Sequence, residues 1–88
     1  MDIKEALKLV GEQICETIRT LVPGDIRPNM ELEADLGLDS FLRLDVSVGL
    51  EDILRRDFSN EESELIKSAT TVQQLAEAVV NLPERIPA

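Results

Sequence analysis

The sequence has no histidine, no tryptophan and no tyrosine, and only one cysteine and two phenylalanines in 88 residues. Each absence removes a class of function. Without histidine, and with Cys15 as the lone thiol, a zinc centre has too few ligands and a nucleophile has no imidazole to activate it. A single cysteine closes no internal disulfide, so nothing points to an oxidising compartment. No apolar run approaches the ~20 residues that span a bilayer. The start, Met1-Asp2-Ile3-Lys4-Glu5, has none of the character of a signal peptide. The expectation is a soluble, cytoplasmic protein. Basic residues are also scarce, nine against 18 acidic, for a net charge of -9. Nucleic acid and anionic membrane, which require a basic face, are therefore poor partners. Basic patches on other proteins are the natural complement.

What is present is enough for one small domain and no more. A chain of this size buries about 60–65% of its extended surface, so the core is thin. The hydrophobic fraction of 43% still lies above that of charge-rich disordered chains. The spacing predicts a helix over residues 2–21: Ile3, Leu7, Val10, Ile14, Ile18 and Leu21 recur at three- and four-residue steps. Asp2 with Glu5 has the form of a capping box, and Pro23-Gly24 ends the run. Such a helix is ~30 Å long. Cys15 falls near the edge of its stripe and reads as a small buried hydrophobe, with no cation or base to activate it.

Residues 22–39, punctuated by Pro23, Gly24, Pro28 and Gly37, are too long for an ordinary turn. Val22, Ile26, Met30, Leu32, Leu36 and Leu38 predict an ordered loop pinned to the core. Helix returns from Ser40 to about Arg55 with two adjacent stripes, one of Leu42, Val46, Leu50 and Ile53 and one of Phe41, Leu44 and Val48. So wide an apolar arc predicts burial against more than one partner. Gly49, which costs ~1 kcal/mol relative to alanine in a helix, predicts a close backbone approach or space for a ligand. Ser59-Asn60-Glu61-Glu62 opens a short helix near 61–67 with Leu65 and Ile66 inward. Thr71-Val72-Gln73-Gln74 opens a last helix to about Asn81, with Val72, Leu75, Ala76 and Val79 on one face. Pro83 stops it, and 83–88, with Pro87, read as a loose tail after a single domain of residues 1–82. No strand pattern and no repeat is present. The fold class is all-α: a small four-helix bundle with a long first loop and a short third helix.

The candidate site lies where the long loop meets the second helix, Asp35-Leu36-Gly37-Leu38-Asp39-Ser40. Asp39 is placed as N-cap and Ser40 in the first turn with its hydroxyl exposed. Free N–H groups and the positive dipole end at such a position suit a phosphate. A simpler alternative is that Asp39-Ser40 is a helix cap and nothing else, in a small acidic interaction adaptor. A self-contained enzyme is disfavoured, because no histidine or lysine stands near Ser40 to complete a relay. Glu31, Glu33 and Asp35 alternate, but a calcium loop starting at Glu31 needs glycine and glutamate where Leu36 and Leu42 stand, so no metal site is expected.

These six residues resemble the phosphopantetheine attachment motif of acyl carrier proteins, whose usual form is D-L-G-x-D-S-L. The resemblance extends over about residues 3–80. Asp45, Glu51 and Asp52 stand where that family carries recognition-helix carboxylates, and Leu44 and Val48 where it has apolar residues that meet partner enzymes. Phe58 with Glu61-Glu62, and Thr71-Val72-Gln73, match its third and fourth helix starts. The resemblance implies a fold of acyl-carrier type and a phosphopantetheinyl transferase that moves 4'-phosphopantetheine from coenzyme A to Ser40. Asp35, Gly37, Leu38 and Asp39 are the motif around it, and Asp39, Leu44, Asp45, Val48, Glu51 and Asp52 the partner-binding face. It further implies a monomeric, non-catalytic carrier. Acyl groups ride the arm as thioesters, sheltered in a slot that the apolar second helix and Gly49 open. They are delivered to enzymes of fatty acid, lipid or polyketide-type biosynthesis.

Phe41 replaces the family's leucine, and Arg43 interrupts a surface normally acidic or neutral. Ser59 stands where proline often precedes the third helix, and about three extra residues fall within Lys67–Thr70. These departures point away from the housekeeping carrier of fatty acid synthesis and toward a specialised one, with a D-alanyl-type carrier open. The charge is segregated as well. Residues 31–64 hold 11 acidic and three basic groups, net -8, leaving seven and six, net -1, for the rest. The expectation is an acidic face around Ser40.

Overall fold

A computed structural model describes residues 2–82 and shows four α-helices: α1 (Ile3–Thr17), α2 (Ser40–Leu54), α3 (Asn60–Ser68) and α4 (Val72–Val80). A 3-10 turn, Pro23–Asp25, lies in the long loop between α1 and α2. Among the described residues there is no strand, only an isolated antiparallel bridge between Glu31 and Thr71. The chain is thus the small all-helical bundle its periodicity predicts. The proline-stopped tail at 83–88 lies outside the described residues.

Each helix begins at a side-chain cap. Asp2 accepts from Glu5 N at 2.9 Å, Asp39 from Leu42 N at 2.9 Å, Ser59 from Glu62 N at 3.2 Å and Thr71 from Gln74 N at 3.1 Å. At Ser59 the box is reciprocal, since Glu62 Oε1 accepts from Ser59 N at 2.8 Å. At Thr71 it is not. Gln74 reaches instead to the backbone N–H and hydroxyl of Thr70, at 2.8 and 2.7 Å.

α1 is shorter than expected. It ends at Thr17, giving about 22 Å of helix at 1.5 Å per residue. Thr17, Ile18 and Thr20 are β-branched, and the residue before a proline avoids the helical region, so the chain leaves the helix well before Pro23. Ile18 and Leu21 still pack on the core, from an extended cap and a turn. The predicted Val22 anchor is overturned: it is exposed, next to a tight turn that faces water.

Ala6, Val10 and Ile14 of α1 pack against α4 and α2. On α4 the four predicted residues Val72, Leu75, Ala76 and Val79 are all buried. Of the apolar pair expected to face inward on α3, Ile66 does, beside the buried Glu62. Leu65 is 46% exposed, because a nine-residue helix held at one edge has a narrow buried face.

α2 departs most from expectation. Val46 and Leu50 are buried and Leu42 half-buried, but Ile53 is 41% exposed, and the second stripe faces solvent, with Phe41 73% exposed and Leu44 and Val48 over half exposed. Four short helices supply no element to cover that side. A Cβ built on Gly49 would overlap the side-chain amide of Gln13, whose Cδ lies 3.1 Å away. The close approach is therefore by a side chain, not a backbone, and Gly49 lies with Gln13 on the wall of an open surface cleft. Arg55, in the left-handed region at φ 54, ends the helix.

Candidate functional site

The loop that delivers Ser40 is held by backbone before any side chain acts. Leu32 N donates to Thr70 O at 2.8 Å, Val72 N to Met30 O at 3.0 Å, and Gln73 N to Pro28 O at 2.8 Å. These three bonds fasten the loop to the joint between α3 and α4. The chain then coils through Glu31–Gly37, where Asp35 N and Leu36 N both donate to Glu31 O and Gly37 N donates to Glu33 O. The Asp35 carboxylate closes that turn by accepting from Glu31 N at 2.7 Å. Asp35 thus shapes the loop.

Gly37 has φ +70, a conformation that a side chain disfavours. It lets the chain reverse between two inward anchors, Leu36 at 8% and Leu38 at 0% exposure. Leu38 N is fixed to Leu32 O at 2.8 Å. With Leu38 buried, Asp39 arrives extended as the N-cap and Ser40 becomes the first residue of α2, exposed to water. Asp39 satisfies two donors of the first turn, Leu42 N through its carboxylate and Arg43 N through its carbonyl. The N–H groups of Ser40 and Phe41 have no acceptor in the helix by its geometry, and they point out past the serine. An anionic group on Ser40 Oγ stands in the positive end of the α2 dipole without any cationic side chain. Asp35, Gly37, Leu38, Asp39 and Ser40 are therefore all brought to one place.

The second set of residues forms a face rather than a cluster. At 3.6 residues per turn, Phe41, Leu44, Asp45, Val48 and Asp52 fall within about 100° of one another, and all are exposed. The result is an apolar ridge of three side chains bordered by two carboxylates, leading away from Ser40. Glu51 does not belong to it as expected. Its Oε2 accepts from Phe58 N at 2.7 Å, which turns the carboxylate toward the α2–α3 connection and half-buries it. The uniform acidic face is corrected at Glu62 too. That residue is 4% exposed and ion-paired to Arg56, so its charge serves the interior.

Two contributions escaped the sequence reading. Arg43, which breaks the motif's surface pattern, is half-buried, and its Nη1 donates to Lys67 O at 2.9 Å, joining α2 to the end of α3. Its place was readable: Arg43 stands three and seven residues before Val46 and Leu50, on their face of the helix. Phe41 is the most exposed large hydrophobe of the described residues and adjoins Ser40 directly. Treating its stripe as core hid that.

Cys15 is half-buried, and burial first, then the charges of Asp25 and Glu16, push its thiol above the ordinary value. The raised value disfavours the thiolate, the reactive form. Among the described residues no group of histidine, cysteine and carboxylate side chains is arranged to hold a metal ion, and no helix is long and apolar enough to cross a membrane. Comparison of the chain with family models gives no match, and comparison with curated proteins gives none.

Proposed function

We propose that the chain is an acyl carrier protein whose Ser40 bears 4'-phosphopantetheine. The observation that carries this is the pose of Ser40. In the stretch Asp35-Leu36-Gly37-Leu38-Asp39-Ser40 the two leucines are buried, the Asp35 and Asp39 carboxylates are engaged by backbone N–H groups, Gly37 makes the reversal, and Ser40 stands exposed at the first position of α2.

A phosphopantetheinyl transferase forms the bond from Ser40 Oγ to the β-phosphorus of coenzyme A. The pyrophosphate P–O bond breaks, 3',5'-ADP departs, and the serine proton passes to a base of the transferase. When attached, the arm supplies a terminal thiol that holds an acyl group as a thioester. This chain's own residues hold the attachment point. Asp39 fixes the first turn, Gly37 and Leu38 set the direction from which the chain enters it, and the N–H groups heading α2 are placed to donate to the phosphodiester oxygens. No base or metal is needed from the chain, because the chemistry belongs to its partners. Partner enzymes meet the Phe41, Leu44 and Val48 ridge with apolar contacts and Asp45 and Asp52 with Arg/Lys patches. The departures at Phe41 and Arg43 favour a dedicated pathway over bulk fatty acid synthesis.

The test is the intact mass of the full chain after incubation with a phosphopantetheinyl transferase and coenzyme A. The expected result is one arm per chain, lost in Ser40→Ala while the helical circular dichroism is unchanged. A chain that gains no mass sinks the carrier function and leaves the ridge as the docking face of an interaction adaptor.

A further inference from the structure

Arg43 has two structural attachments that no surface arginine needs. Its guanidinium donates to the Lys67 carbonyl in the last turn of α3. The final carbonyls of a helix lack intrahelical donors and carry the negative end of the dipole, so a cation there fixes the helix end. The same side chain also forms one wall of an apolar hollow, with Leu32, Leu38, Val46, Ile66 and Leu75 as the others. Those five come from the long loop, α2, α3 and α4, so the hollow lies at the meeting of every element that carries or faces the site. Its volume is about 10 Å³, roughly the space of one water. Leu38 and Arg43 stand two residues before and three after Ser40. The wall of the hollow is thus within one helical turn of the exposed serine.

We infer that Arg43 is a latch: by holding the end of α3 against α2 it keeps this hollow shut, and it restricts the protein to short acyl groups. This rests on the carrier function proposed above. A long chain gains by leaving water, methylene by methylene. To enter here it must break the bond from the Arg43 guanidinium to the Lys67 carbonyl and open the seam between α2 and the end of α3, losing the packing that closes it. A short acyl group stays outside on the arm and needs neither. Specificity then comes from the closed hollow rather than from a shaped pocket.

The experiment uses the full chain and the variants Arg43→Met and Arg43→Lys, each loaded from acetyl, butyryl, octanoyl or dodecanoyl coenzyme A by the transferase. Methionine keeps an apolar stem of similar reach, and lysine keeps the charge without the fork. Two quantities are read: amide exchange over residues 66–72 without any arm, and the thermal midpoint of each acyl form. The expected result is exchange about five- to tenfold faster in Arg43→Met, as loss of one charge-assisted bond allows. Octanoyl and dodecanoyl raise the midpoint of Arg43→Met by at least ~4 °C and leave that of the unaltered chain where acetyl puts it. Arg43→Lys falls between the two. Equal stabilisation of both chains by dodecanoyl, stabilisation of neither, or unchanged exchange overturns the latch. No mass gain on Ser40 in any chain removes the carrier function itself, and with it the restriction on cargo, whatever the exchange shows.

Discussion

The side-chain amide of Gln13 on α1 occupies the space where Gly49 of α2 would carry a Cβ. The two helices meet through this pair, and the missing Cβ makes room for the glutamine. Gln13 also borders an open cleft with Glu12, Cys15 and Glu16, so its flexible end has somewhere to go. Gly49→Ala alone is therefore expected to change stability by less than ~1 kcal/mol, since displacing Gln13 offsets the gain in helix propensity. In a Gln13→Ala background the same substitution should stabilise by ~1 kcal/mol. A double-mutant cycle in urea measures the coupling, and additivity would show that the two do not interact.

Glu62 combines an ion pair with Arg56 and a capping bond to Ser59 N, at side-chain exposures of 15% for Arg56 and 5% for Glu62. Removing one member of a buried pair costs about 3–5 kcal/mol, which is most of the stability of a domain this size. Glu62→Ala is expected to unfold at room temperature or close to it. A melting curve no more than a few degrees below that of the unaltered chain would show the pair to be dispensable.

Arg55 holds a left-handed conformation that glycine adopts freely. Arg55→Gly is expected to stabilise by about 0.5–1 kcal/mol, because the strain relieved at the helix end exceeds the added flexibility of the unfolded chain. A lower denaturation midpoint would point to a contact of the Arg55 side chain worth more than its strain.

Asp45 is exposed on the same face of α2 as Leu44 and Val48. If that face meets a basic partner, Asp45→Lys should lower kcat/KM of the transferase for this chain several-fold at low ionic strength. The difference should close near 1 M salt, where the screening length is about 3 Å. Equal rates at every salt concentration would remove Asp45 from the docking face.

Cys15 should resist alkylation. Its pKa is raised, so at pH 8 less of it is thiolate than in a free thiol, and half-burial slows access further. The neutral thiol is favoured in the fold, so its contribution to stability is complete below the ordinary value of 9.0 and is lost as pH rises past it. Iodoacetamide labelling followed by mass checks the rate; labelling as fast as glutathione would contradict it.

The elements that announce themselves by short-range chemistry were legible in the sequence. Caps at Asp2, Asp39, Ser59 and Thr71 depend on residues three apart, and all four act as caps. So was the local pose of Ser40, because Gly37, Leu38 and Asp39 leave the chain little choice. What was not legible depends on partners distant in the chain. Periodicity gives the apolar arc of α2 but not whether a neighbour exists to cover it, so it points Phe41, Leu44 and Val48 at a core that four short helices do not supply, whereas the family resemblance places Leu44 and Val48 on an outer face, where they are exposed. Nor does charge counting distinguish a carboxylate in water from one turned inward, which is how Glu51 and Glu62 were misplaced on the surface. Arg43 differs, since its helical phase was in view and only its identity drew attention elsewhere.

The bridge between Glu31 and Thr71 has a consequence for how the protein is made. The segment that aims Ser40 is stitched to residues some 40 positions later, by backbone bonds that exist only once α3 and α4 have emerged and docked. On a half-synthesised chain the serine has its local cap but no anchored approach. The full presentation of Ser40 therefore waits until α4 is in place.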